Sequence, residues 1–175
     1  MKRTSGFTIV ELLIVIAILG ILLTLVVVNL SSSQVSARDD ERKVDIANIA
    51  SNLETFYTSG TDTLSPGSYP GVDQLSSESN FLLALRDLNP ANLRAPGYTG
   101  GTISLVPATN NNTTTTGVTP QPTPTQYVYQ PLSNSKNAPT NGGLCNATAD
   151  ACRQYILYYM LESTGTVVSV KSKNQ

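Results

Sequence analysis

The segment from Phe7 to Leu30 is apolar almost throughout, and a single carboxylate, Glu11, is the only charge in it. Its 24 residues make about 36 Å of α-helix, enough to cross a bilayer core about 30 Å thick. A carboxylate at membrane depth is strongly penalised unless it is neutralised or paired, so Glu11 calls for a partner other than lipid. The start of the chain bears on what that partner is. A secretory signal peptide places its small-residue cleavage site after the apolar core, whereas here Gly6 precedes it. Cutting after Gly6 would remove Lys2 and Arg3, retain the apolar helix and leave a new ammonium group on Phe7, one helical turn from Glu11. The plainer alternative is a signal anchor whose stray Glu11 snorkels to the interface.

The string Gly6-Phe7-Thr8-Ile9-Val10-Glu11-Leu12-Leu13, preceded by Lys2-Arg3 and followed by the apolar run, resembles the type IV prepilin signature shared by pilins and type II secretion pseudopilins. The likeness is close over residues 1–30; beyond them it is one of architecture. It implies that a membrane prepilin peptidase cuts between Gly6 and Phe7 and methylates the Phe7 amine. It further implies that identical or related subunits are drawn from the membrane by an inner-membrane assembly platform into a helical filament, with Glu11 neutralising the Phe7 amine of a neighbour. Gly20, a weak point costing about 1 kcal/mol in a helix interior, would permit the loosening that many filament-forming relatives show there. Val28 stands where many such pilins carry a proline.

The pairing also has a physical basis of its own. Carboxylate and ammonium attract strongly among apolar helices only when both are desolvated together. A subunit inserted out of step would bury Glu11 without a partner, which costs more than the pair gains, so the pair acts as a device for register.

Lys and Arg total 11 against 12 Asp and Glu, and loss of Lys2 and Arg3 leaves 9 against 12. That balance gives no electrostatic case for nucleic acid. The positive-inside rule places Lys2 and Arg3 in the cytoplasm and the remainder outside, and no later run approaches spanning length. The expectation is a single-pass precursor in the cytoplasmic membrane with one extracytoplasmic domain, ending in an extracellular pilus.

The chain divides by pattern into a leader (1–6), a transmembrane and assembly helix (7–30), an amphipathic helix (31–60), a variable loop-rich region (61–126) and a small antiparallel sheet with a disulfide loop (127–175). Ile46, Ile49, Ala50, Leu53, Phe56 and Tyr57 recur at helical spacing as one apolar stripe. One long helix is predicted from Phe7 to Ser59, ended by Gly60. The charges from Arg38 to Asp45 read as a solvated face, or else as contacts between subunits. Phe81 to Leu88 reads as a small helix stopped by Pro90. Residues 95–126, rich in Gly, Asn, Thr and Pro, read as an exposed, mobile excursion that builds no core. Asn111, Asn112 and Asn146 fit the N-x-[ST] pattern for glycan attachment.

Strand signals cover Tyr127 to Tyr129, Arg153 to Glu162 and Thr166 to Lys171, the last two as a hairpin across Ser163-Thr164-Gly165. Tyr155, Leu157, Tyr159 and Leu161 alternate with Ile156, Tyr158 and Met160, so the middle strand is expected to be central and covered on both faces. The fold class is therefore α+β, a long helix on a small antiparallel sheet. Cys145 and Cys152, the only cysteines in an exported chain, favour a disulfide whose short loop adds about 2 kcal/mol.

With no His, no Trp, no phosphate-cradling glycine motif and no clustered carboxylates in the outer domain, hydrolytic and metal-dependent chemistries lack their usual parts. Asp73, Asp87 and Asp150 stand isolated in the sequence, and no cofactor or metal is called for. Three readings remain: a pilus subunit serving adhesion, twitching motility or DNA uptake; a pseudopilin of a secretion system; and a membrane-anchored binding module.

Overall fold

Helix α1 runs from Ile9 to Ser59 in the computed structural model, which describes residues 6–60, 66–75, 77–85, 87–133, 144–145 and 152–174. The side chains of residues 25–29 and 78 lie outside the description. The chain divides into two units, Met1–Ala37 and Arg38–Gln175. In the first, α1 is the only described element, and its described apolar side chains lie open, from Ile9 at 84 % exposure to Leu30 at 56 %.

In the second unit the same helix has a buried stripe. Ile46, Ile49, Leu53 and Phe56 are at most 5 % exposed, as their spacing predicts. Each such side chain taken from water contributes about 1.5–3 kcal/mol. Gly60, at φ 64°, closes the helix by donating its N–H to the Phe56 carbonyl at 2.8 Å, a left-handed cap that suits glycine.

Four strands form one sheet in sequence order: β1 (Leu105–Pro107), β2 (Tyr127–Ser133), β3 (Cys152–Met160) and β4 (Val167–Lys171). The expected antiparallel arrangement holds for β2, β3 and β4, while β1 pairs parallel to β2 with Leu105 opposite Tyr127. Tyr155, Leu157 and Tyr159 of β3 face the α1 stripe, together with Tyr127, Tyr129, Phe81 and Leu93. On the other face Ile156 and Tyr158 pack with Val128, Ala108 and Val118. Both alternations of the central strand are thus covered, the second by the chain between β1 and β2.

That covering corrects the expectation that residues 95–126 build no core. Ala95, Ser104, Leu105, Ala108 and Val118 are at most 2 % exposed. The excursion is tied down by side-chain amides. Asn110 donates to the Gly117 carbonyl at 2.7 Å and accepts from the Thr119 N–H at 3.0 Å, and Gln130 donates to the Asn110 carbonyl at 2.8 Å. The polar residues that suggested mobility instead supply the loop's missing backbone partners. The small helix is also displaced from the expected Phe81 to Leu88. Helix α2 covers Glu78–Ala84 and is capped at Leu85, so Pro90 does not stop it but opens a separate 3-10 turn, Pro90–Leu93.

The charges from 38 to 45 are the second correction, since Asp39, Arg42 and Asp45 are at most 5 % exposed. Asp39 accepts the backbone N–H groups of Glu162 and Ser163, at 2.7 and 3.0 Å, in the β3–β4 turn. Arg42 donates to Asp39 at 2.8 Å, to Glu162 at 2.9 Å and to the Pro124 carbonyl at 2.7 Å, and Arg38 forks onto both Glu162 oxygens. Asp40 and Lys43 do form a solvated pair. Further along, Asp45 accepts from Asn92 and Tyr127, and Glu54 accepts from Tyr69, Tyr155, Asn174 and the Lys173 N–H. The helix is therefore fixed to the sheet by carboxylates as well as by its apolar stripe.

Candidate functional site

The candidate site is the short stretch that enters α1. Gly6 and Phe7 precede the helix and are exposed, Phe7 at 87 %. Thr8 caps the first turn, and its hydroxyl accepts the Glu11 N–H at 3.3 Å. Glu11 returns the bond: its carboxylate accepts the Thr8 N–H at 2.9 Å and the Thr8 hydroxyl at 2.8 Å. This is a capping box, Thr-x-x-Glu, in which two orphan groups of the helix start satisfy each other. Sequence reasoning missed Thr8, although the [ST]-x-x-[DE] spacing was there to be read.

The box changes what is required of Glu11. Within one chain one of its oxygens, Oε2, already accepts two hydrogen bonds, both from Thr8, so the lone carboxylate is oriented rather than stranded. Among the described residues its negative charge has no cation partner: the described ion pairs all lie between residues 38 and 162. Hydrogen bonding without charge neutralisation leaves room for an ammonium partner.

Around the box the helix exposes apolar side chains on every side, including Leu12, Leu13, Ile16, Leu19 and Leu23 at 51–63 %. Among the described residues no helix is long and apolar enough to cross a membrane. The expected run from 7 to 30 includes residues 25–29, whose side chains lie outside the description. A Cβ added at Gly20 would meet nothing within 4 Å, so no packing within this chain requires glycine there.

The other predicted residues lie elsewhere. Cys145 and Cys152 are fully buried and joined at an S–S distance of 2.04 Å. The bridge sits where three strands of chain meet: Cys145 donates its N–H to Pro131, while the carbonyls of Cys145 and Cys152 accept from Val72 and Tyr69. Among the described residues no group of three His, Cys, Asp or Glu side chains could hold a metal ion. Asp73 and Asp87 are not gathered into any such group. Lys2, Arg3, Asn146 and Asp150 lie outside the described residues.

Residues 1–27 match the prokaryotic N-terminal methylation motif. No curated protein and no solved structure matches the chain. That N-terminal motif is the mark of the type IV prepilin-like family, which includes pilins and pseudopilins, and here it heads an α+β chain with a long N-terminal helix and a four-stranded sheet.

Proposed function

We propose that the chain is a structural subunit of a type IV pilus, cleaved between Gly6 and Phe7, methylated on the Phe7 amine and polymerised through its N-terminal helix. The observation that carries this reading is the surface of that helix: apolar on all sides, exposed, and interrupted by one carboxylate beside the cleavage point. A helix with no polar face belongs in lipid or among other helices. Before assembly the membrane covers it; after assembly the same helix of neighbouring subunits does, and each Leu or Ile so covered contributes about 1.5–3 kcal/mol.

Cleavage by a prepilin peptidase creates an ammonium on Phe7, and Glu11 of a neighbour supplies its counter-charge as an inner-membrane platform adds the subunit. Because Thr8 already orients the Glu11 carboxylate, the pair forms with little further ordering. Gly20 gives the helix a point of compliance during that transfer. The globular unit is then displayed on the filament, where adhesion, twitching motility or DNA uptake would be served by its outer surface. The chain's own role is structural rather than enzymatic.

The test is to shear cells that produce the protein and image what is released by electron microscopy, with mass spectrometry of the subunit's N-terminus. Long filaments of this chain beginning at methylated Phe7 are expected. Short fibres that appear only with a secretion machine would make it a pseudopilin, and a mature chain retaining Lys2 would end the prepilin reading.

A further inference from the structure

An open groove of about 520 Å³ lies on the globular unit where Glu41 of α1 faces the loop that follows the Pro90–Leu93 turn. Glu41, Arg94, Tyr98 and Thr102 line it. The loop is built around Tyr98. Arg94 donates from Nε and Nη2 to the Tyr98 carbonyl at 3.3 and 3.1 Å, which fixes the backbone beneath the ring. Gly97 turns the chain at φ 80°, and a Cβ on Gly100 would meet the Tyr98 ring at 2.4 Å. Glycine at 100 therefore lets that ring lie close against the backbone.

Glu41 and Arg94 line the same groove with opposite charges and yet form no ion pair. Their separation leaves a carboxylate able to accept hydrogen bonds and guanidinium N–H groups able to donate them, beside a phenol ring. Neighbouring hydroxyls on a saccharide offer both kinds of partner at once, and the C–H face of a sugar ring suits an aromatic face. A protein anion would meet Glu41 unfavourably, and an isolated cation would meet Arg94 unfavourably; a neutral polyhydroxyl ligand meets neither penalty.

We propose that this groove binds a neutral saccharide, with vicinal hydroxyls donating to Glu41 and accepting from Arg94 while Tyr98 packs on the sugar ring. It rests on the pilus reading in that it names a ligand class for the displayed surface. The experiment applies fluorescently labelled full-length protein in detergent micelles to an array of neutral hexose-containing oligosaccharides. Retention on at least one sugar is expected. Tyr98→Ala should lower it about ten-fold, and Glu41→Gln, an exposed position on α1, should lower it about ten-fold as well. No retention on any neutral sugar, or retention unchanged in both variants, would overturn the proposal. Filament yield after shearing is measured on the same variants. Normal filaments with lost sugar binding support the groove, whereas normal filaments with no binding by the parent chain refute the groove and leave the pilus reading standing.

Discussion

Replacing Arg42 by Met should destabilise the globular unit by about 3 kcal/mol, because removing one partner of a buried ion pair leaves the other charge uncompensated. Arg42 is 1 % exposed and makes hydrogen bonds to Asp39, Glu162 and the Pro124 carbonyl. The substitution keeps the apolar stem and deletes only the guanidinium. Glu162 retains Arg38, but Asp39, at 3 % exposure, keeps only neutral hydrogen-bond donors, from Glu162 and Ser163. The pH dependence follows from the same cluster. Burial works to raise the Asp39 carboxyl, yet hydrogen bonds from Ser163, Glu162 and Arg42 outweigh it and hold it at about 2. The Arg38 guanidinium, with Arg42 and against burial, holds Glu162 at about 2. Both lie below their ordinary values of 3.8 and 4.5, so their stabilisation is full above those values and is lost as pH falls toward 2. Asp45, raised by burial despite bonds from Asn92 and Tyr127, runs the other way, one group against two. Urea unfolding of the full chain in detergent, followed by tyrosine near-UV circular dichroism, reads both effects. The parent should weaken from about pH 5 to pH 2, and the variant more shallowly. A loss below about 1 kcal/mol, with an unchanged pH profile, would refute the claim that the cluster docks helix to sheet.

Three further outcomes are expected. Replacing Cys145 and Cys152 together by Ser should cost about 2 kcal/mol from lost loop constraint, and thiol reagents should fail to label the parent without reductant. Leu157→Ala, at a fully buried position on the central strand, should cost about 2–5 kcal/mol in the same unfolding assay. Glu54→Leu removes the acceptor shared by the Lys173 N–H, Asn174 and the Tyr69 and Tyr155 hydroxyls, so hydrogen exchange should speed up at Lys173 and, through weaker docking of helix to sheet, in the core of β3 as well.

The helix and hairpin were legible because their signals are periodic and local. The Ile46-to-Phe56 stripe and the two-faced alternation of β3 follow from repeats of 3.6 and 2 residues, and Gly60 at the helix end from the local capping preference of glycine. Strand β1 was not legible, since three residues ending in Pro107 carry no period, and its parallel pairing with β2 depends on contacts far along the chain. The charges at Asp39, Arg42 and Asp45 misled for a related reason. A sequence shows that a residue is charged, not that Ser163, Pro124 or Tyr127 will arrive to satisfy it. Likewise, Asn110 looked like a residue of mobile loops until Gly117 and Thr119 were found within its reach. At the N-terminus the reverse holds: Gly6, Phe7 and Glu11 were readable as a linear motif, and the Thr8 box was readable too from its Thr-x-x-Glu spacing but was overlooked.

The account rests on Glu11 as the residue that brings subunits into register, and filament yield from Glu11→Ala measures this most directly. Processing at Phe7, checked by mass spectrometry, should be unaffected while sheared filaments fall to a small fraction of the parent amount. Correctly processed Glu11→Ala subunits that assemble at the parent yield would contradict it.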